Sequence, residues 1–200
     1  MPLVRERVEA CRQDRLNGAA DRQKIAETPA VFRETLNPTT SVIIPVVSSE
    51  NRRYIPIGYI DKNVICTDRI KLIPEVNLYH FGVLTSNVHM AWVRAVCGRL
   101  KSDYNYSKDI VYNNFPWCSP TDEQKAKIKE TAQGILNARV FYPDCSLADL
   151  YDEITMPPEL RKAHRENDRA VMRAYGFDVK TMTESMCVSE LMKMYRELTE

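Results

Sequence analysis

Between Arg99 and Tyr106, a lysine, an aspartate and an asparagine occupy every second position: Lys101, Asp103 and Asn105. If this stretch runs extended, alternate side chains face the same way, and a donor, an acceptor and an amide share one edge. That combination suits base edges in duplex DNA. Lysine donates to guanine O6 and N7, aspartate accepts from cytosine N4, and asparagine pairs with adenine. Lys101 with Asp103 would then read one G·C pair. The same residues equally fit a solvated surface strand with a local ion pair. Tyr104 and Tyr106 fall between them and read as sheet or core residues. Candidates for phosphate contacts are Arg52, Arg53, Arg94, Arg99 and Lys108. Arg52 and Arg53 follow a Ser-Ser-Glu-Asn turn, and neighbours on a strand face opposite sides, so at most one joins a given surface.

The chemistry of a self-contained enzyme is missing from the chain. Glycines stand at 18, 58, 82, 98, 134 and 176, so no Gly-x-Gly pair exists to cradle a dinucleotide, a triphosphate or S-adenosylmethionine. His80, His89 and His164 form neither an HExxH motif nor a ligand set with cysteines, and no metal residues are assigned. Cys11, Cys66, Cys97, Cys118, Cys145 and Cys187 are spread singly, without a CxxC pair, and read as reduced and structural. Asp122 and Glu123 sit behind Thr121 in a capping-box pattern, where first-turn acids complement the helix dipole. Asn113-Asn114-Phe115-Pro116-Trp117 is superficially like the Asn-Pro-Pro-aromatic motif that grips a flipped base, but it lacks the proline pair and reads as an aromatic corner. No catalytic residue is assigned.

The elements that must position these residues follow from periodicity. Residues 1 to 15 alternate apolar and charged positions at helical spacing, and Ala26 to Thr40 reads as a connection. SVIIPVVSS, RRYIPIGYI, VICTD and IKLIP read as short strands of a small antiparallel sheet, with Pro45, Pro56 and Pro74 placing them at edges or bulges. From Leu78 the period turns helical. Thr85-Ser86 caps a helix stopped by Gly98, and the polar, aromatic stretch from Lys101 to Trp117 reads as loop and strand. Helices are expected from Ser119–Thr121 to about Val140, after Ser146, from Pro157-Pro158 to about Tyr175, and after Thr183.

Two hundred residues suffice to bury a core without disulfides or metals, and 44% hydrophobic with 28% charged residues is a globular composition. A net charge of +1 excludes the bulk polycation of a purely electrostatic nucleic-acid binder. Its distribution is uneven: residues 1–41 carry +1, residues 42–116 carry +3, and residues 117–200 carry −3. An anionic partner would meet the middle. No apolar run approaches a membrane span, and the amino terminus, charged from Arg5, has no signal-peptide stretch, so a cytoplasmic location is expected.

Taken in order, PLVRERVEACR, SSENRRYIPIGYI, LYHFGVLTSNVHMAWVRAVCGRLKSDYNYS, YNNFPW and SLADLYDEITMPPELRKAHRENDRAVMRAYG resemble one family. The chain is similar, over residues 2 to 176, to the C-terminal part of the MmeI-like (type IIL/IIG) DNA adenine methyltransferases, single-chain restriction-modification enzymes with a fused endonuclease. Cys118 departs from the proline expected after YNNFPW, and residues 177–200 lie outside the likeness. The resemblance implies an α+β chain, with a small mixed, mainly antiparallel sheet and helices followed by a helical bundle. Residues 1–37 would form an N-terminal helix and connection, 38–118 a target-recognition domain, and 119–200 a C-terminal helical region. It implies sequence-specific binding of double-stranded DNA by a fragment whose methyltransferase and nuclease domains are partners in the parent chain. S-adenosylmethionine would serve the parent, with no cofactor in this chain. The alternative is a protein–protein docking module of the same parent.

Overall fold

The computed structural model describes residues 1–32 and 38–200. They belong to two compact units, Met1–Asn37 and Pro38–Glu200. In the first, α1 (Pro2–Leu16) starts with proline at its first position, where the missing N–H is no loss. A four-residue α2 (Ala20–Gln23) follows. Arg15, in the last turn of α1, donates to the carbonyls of Ile25, Thr28 and Val31 at 2.7–2.8 Å and so holds the turns after α2 in place. The connection expected over Ala26–Thr40 lies partly outside the described residues.

The second unit contains two antiparallel three-stranded sheets rather than one. The first has the order β3 (Gly58–Asp61), β1 (Thr40–Pro45), β4 (Ile70–Pro74). The second has the order β2 (Val47–Ser48), β6 (Asp103–Asn105), β5 (Gly98–Leu100). The apolar run SVIIPVVSS is divided between them. Val46 donates to Arg69 O beside the first sheet and accepts from Tyr106 N beside the second, so the chain changes sheets there. β1 is the central strand of its sheet, so of the edge or bulge expected from Pro45 the edge does not hold, and Pro45 instead ends β1 where the chain leaves the sheet. That proline is tolerated because it lies beyond the last pair with β3, Ile43↔Gly58.

VICTD does not form a strand. Val64 and Ile65 are exposed, and without a buried face to cover they lie in irregular chain between a turn closed by Val64 N–H to Asp61 O and one closed by Ile70 N–H to Thr67 O. Tyr54–Ile57 is buried but unpaired, because Pro56 has no N–H for a ladder. The stretch read as loop and strand also contains a π-helical turn, Lys108–Tyr112, capped by the Ser107 hydroxyl.

The helices match their caps. Asn77 and His80 form a reciprocal capping box for α3 (Leu78–Leu84), and Ser86 caps α4 (Asn87–Val96). Thr121 with Gln124 opens α5 (Asp122–Val140), Ser146 opens α6 (Leu147–Leu150), proline starts α7 (Pro158–Ala174), and Thr183 caps α8 (Glu184–Thr199). One continuous core runs from Val42 and Ile44 through Phe81, Leu84 and Trp92 to Ile128, Ile135, Leu160, Val171 and Leu191. Helices α3, α5 and α7 come together at Gly82. A Cβ there would lie 2.7 Å from Ile128 Cγ2, so only glycine permits this approach. The Asn167 amide donates to Gly82 O at 2.7 Å and accepts from the Thr131 hydroxyl at 3.0 Å. No described helix is long and apolar enough to cross a membrane.

Candidate nucleic-acid interface

Helix α4 ends at Val96 and its chain turns directly into the β5–β6 hairpin, with register Gly98↔Asn105, Arg99↔Tyr104 and Leu100↔Asp103. The loop between Leu100 and Asp103 is therefore two residues, Lys101 and Ser102. Lys101 has φ +57°, the left-handed value that a tight hairpin turn demands at its first central position. This corrects the extended-strand premise. Lys101 does not share a strand face with Asp103 and Asn105; it stands exposed at the tip, because the chain reverses there. Asp103 and Asn105 do share a face of β6, opposite the buried Tyr104.

The tip is anchored on both sides. Arg99 lies over the Tyr104 ring at 4.1 Å and donates to Ser102 O at 3.0 Å, closing the turn. Its guanidinium is thereby held on the hairpin itself. Asp103 Oδ1 accepts from the Glu50 backbone N–H at 3.2 Å, which ties the hairpin to the Ser49–Arg52 turn. That bond fixes one carboxylate oxygen and leaves the second to accept. Glu50 and Asn51 are exposed beside Asp103, a neighbourhood invisible from sequence because they lie about fifty positions earlier. The sequence signal was the Ser-Ser-Glu-Asn turn.

The other cations have different positions. Arg52 and Arg53 lie in a loop, not on a strand. Arg52 donates to Ala148 O at 3.4 Å, and Arg53 to the Tyr54 hydroxyl at 3.3 Å. Arg94 pairs with Glu184 at 3.1 Å and donates to Arg53 O at 3.0 Å, joining α4, α8 and the 53–57 segment. Lys108 is exposed on the π-helical turn, 4.0 Å from Asp109, at the rim of a cleft of about 310 Å³ that Lys71, Leu72 and Tyr112 also line. The structure thus groups Lys101, Asp103, Asn105 and Arg99 on one hairpin and places Lys108 apart.

Behind the hairpin, polar groups are buried in defined networks. His89 bonds Leu84 O through Nδ1 at 2.9 Å and meets the Tyr106 hydroxyl through Nε2 at 3.0 Å, and burial lowers its pKa to about 4. As the neutral imidazole it donates from Nδ1 and accepts from Tyr106. Phe115 packs edge-on to His89 and Trp117, so YNNFPW does form an aromatic corner. Asp168 of α7 accepts from the Tyr54 hydroxyl at 2.6 Å and from Asn87 N, at the start of α4, at 2.8 Å. Burial raises its pKa to about 6, against the lowering effect of those bonds and of Arg53. Nothing in the local sequence marked Asp168, because its partners lie 81 and 114 positions away.

The family profile described as MmeI, target recognition domain, matches residues 1–119, and that described as MmeI, C-terminal domain, matches residues 120–200. DNA methyltransferase A of Bacillus subtilis (strain 168) is 39% identical over 202 residues, covering 100% of this chain and 23% of that protein. The type IIL restriction-modification enzyme MmeI, solved in complex with DNA, is 44% identical and superposes with a TM-score of 0.89, over 100% of this chain and 27% of that one. The chain thus spans about a quarter of the length of these relatives. By sequence and by fold, it belongs to the MmeI target recognition domain family, continued by the MmeI C-terminal domain.

Proposed function

We propose that this chain reads the sequence of duplex DNA on behalf of an adenine methyltransferase of a restriction-modification system. The observation that carries the reading is the anchored hairpin tip: Lys101 stands exposed in the two-residue turn and Asp103 opens β6 directly after it, so a donor and an acceptor lie two residues apart where the β5–β6 hairpin projects past its last pair, Leu100↔Asp103. Solution of the relative MmeI with DNA supports the same partner. Asp103, oriented by Glu50 N–H, accepts from cytosine N4, while Lys101 donates to guanine of the same pair. Asn105, one step down β6 on the Asp103 face, meets the neighbouring base or its phosphate. The methyltransferase and nuclease domains of the parent protein would supply the chemistry, with S-adenosylmethionine bound there.

The test is an exchange of charges, Lys101→Glu with Asp103→Arg, in the parent enzyme. Donor and acceptor trade places, so the preferred base should change at one position and no other, each wrong pairing costing about 1–3 kcal/mol. Methylome sequencing reads the outcome. An unchanged site with merely lower occupancy would remove both residues from the base-reading set. Calorimetry of the isolated chain with S-adenosylmethionine should give no saturable heat, and micromolar binding would refute the assignment of cofactor to the parent alone.

A further inference from the structure

Helix α7 buries Leu160, Ala163, His164, Asn167, Asp168, Ala170, Val171 and Met172. Its opposite face exposes Lys162, Arg165, Arg169 and Arg173. Steps of three, four and four residues keep these cations within an arc of about 80°, along roughly 16 Å of helix axis. The stripe is not a by-product of general basicity, since residues 117–200 carry 12 basic and 15 acidic groups. Five other cations of this region are engaged: Arg161 with Glu153, Lys125 with Asp122, Lys127 with Glu130, Lys193 with Glu190, and Arg139 with the Tyr151 hydroxyl. Lys162, Arg165, Arg169 and Arg173 have no ion pair among the described residues. Glu166 lies on the same face and forms none with them. Lys129, Lys180 and Arg196 have no ion pair among the described residues either, but each stands on a different segment and forms no row.

We propose that this face of α7 is a second DNA contact, which holds the sugar-phosphate backbone outside the bases read by the hairpin. The inference rests on the reading that the chain meets duplex DNA. Three guanidinium groups in a row suit phosphate oxygens, which they grip through paired N–H donors, whereas surface lysines act as point charges. Such a contact adds affinity and fixes register without adding sequence information. The C-terminal helices are then part of the DNA-binding surface as well as its support.

The test uses the 200-residue chain and fluorescence anisotropy with two duplexes of unrelated sequence, titrated between about 50 and 200 mM salt. Arg165→Gln, Arg169→Gln and Arg173→Gln together should lower the slope of log affinity against log salt by up to ~2.7, at about 0.9 per lost phosphate contact. Both duplexes should weaken by the same factor. Lys193→Gln with Arg196→Gln, on α8, should leave the slope unchanged. If the triple variant loses helix content by circular dichroism, Arg169→Gln alone should lower the slope by about 0.9. An undetectable complex at the lowest salt, an unchanged slope, or an equal loss in the α8 control overturns the proposal, the unchanged slope being the mark of a stripe that faces an acidic protein surface instead. Failure of the base-reading proposal looks different: the Lys101/Asp103 exchange then leaves base preference unaltered while the α7 effect on slope persists.

Discussion

Asp168→Asn isolates the cost of the charge buried between α7 and α4. In the folded chain the Asp168 carboxyl titrates at about 6, against an ordinary value of 3.8, because burial penalises the anion more than the Tyr54, Asn87 and Arg53 interactions favour it. A difference of about 2 units corresponds to about 3 kcal/mol. Between those two values the folded state binds more protons than the unfolded one, so stability falls as pH rises through the window. The favourable contribution is complete below the unfolded value and lost above the folded one. Asparagine cannot ionise. Its carbonyl still accepts from Asn87 N, while its amide donates to the Tyr54 hydroxyl, which must then accept. The stability difference, variant minus parent, should therefore rise by about 2 kcal/mol from pH ~4 to pH ~7, the part of the full ~3 kcal/mol that falls in this range, measured by urea unfolding at several pH values. A difference that stays flat, or falls, across that range refutes the reasoning.

Two further substitutions probe the hairpin and the helix junction. Lys101→Gly removes the side chain from a left-handed backbone position, which disfavours L-residues by about 1–2 kcal/mol, so the melting midpoint should rise by a few degrees while discrimination at the G·C position is lost. A lower midpoint in a thermal melt would show that the Lys101 side chain stabilises the turn. Gly82→Ala places a methyl 2.7 Å from Ile128 and 3.1 Å from Ala132, both on α5, and should destabilise by about 1–3 kcal/mol in urea unfolding; a neutral result would mean that α3 and α5 slide apart freely.

Helices and their caps were legible in the sequence because their signals are local. Ser86, Thr121, Ser146 and Thr183 each stand one residue before the helix they cap, and Pro158 starts α7 as its φ preference dictates. The strands were less legible. SVIIPVVSS has a single apolar pattern but feeds two sheets, and the switch at Val46 depends on Arg69 and Tyr106, distant partners that no window includes. The candidate site was half visible: Asp103 and Asn105 do alternate on one strand. The reversal at Lys101 was hidden because Lys-Ser carries none of the Asn-Gly or Asp-Gly chemistry that advertises a two-residue turn. Asp168 was hidden for another reason, since a carboxylate at the end of a long-range bond looks the same in sequence as one in solvent.

The meeting of α3, α5 and α7 at Gly82 also sets a timetable for synthesis. Gly82 and its hydrogen-bond donor Asn167 are 85 residues apart. At roughly 5–20 residues per second, the ribosome delivers that donor about 4 to 17 s after the glycine. Until α5 arrives to supply Ile128 and Ala132, α3 presents Gly82 and its apolar neighbours Phe81 and Val83 without the helices that cover them. The division at residues 119 and 120 that separates two family profiles is thus no seam in the folding of this chain: the recognition segment emerges first and has to stay unaggregated until its own tail closes over it.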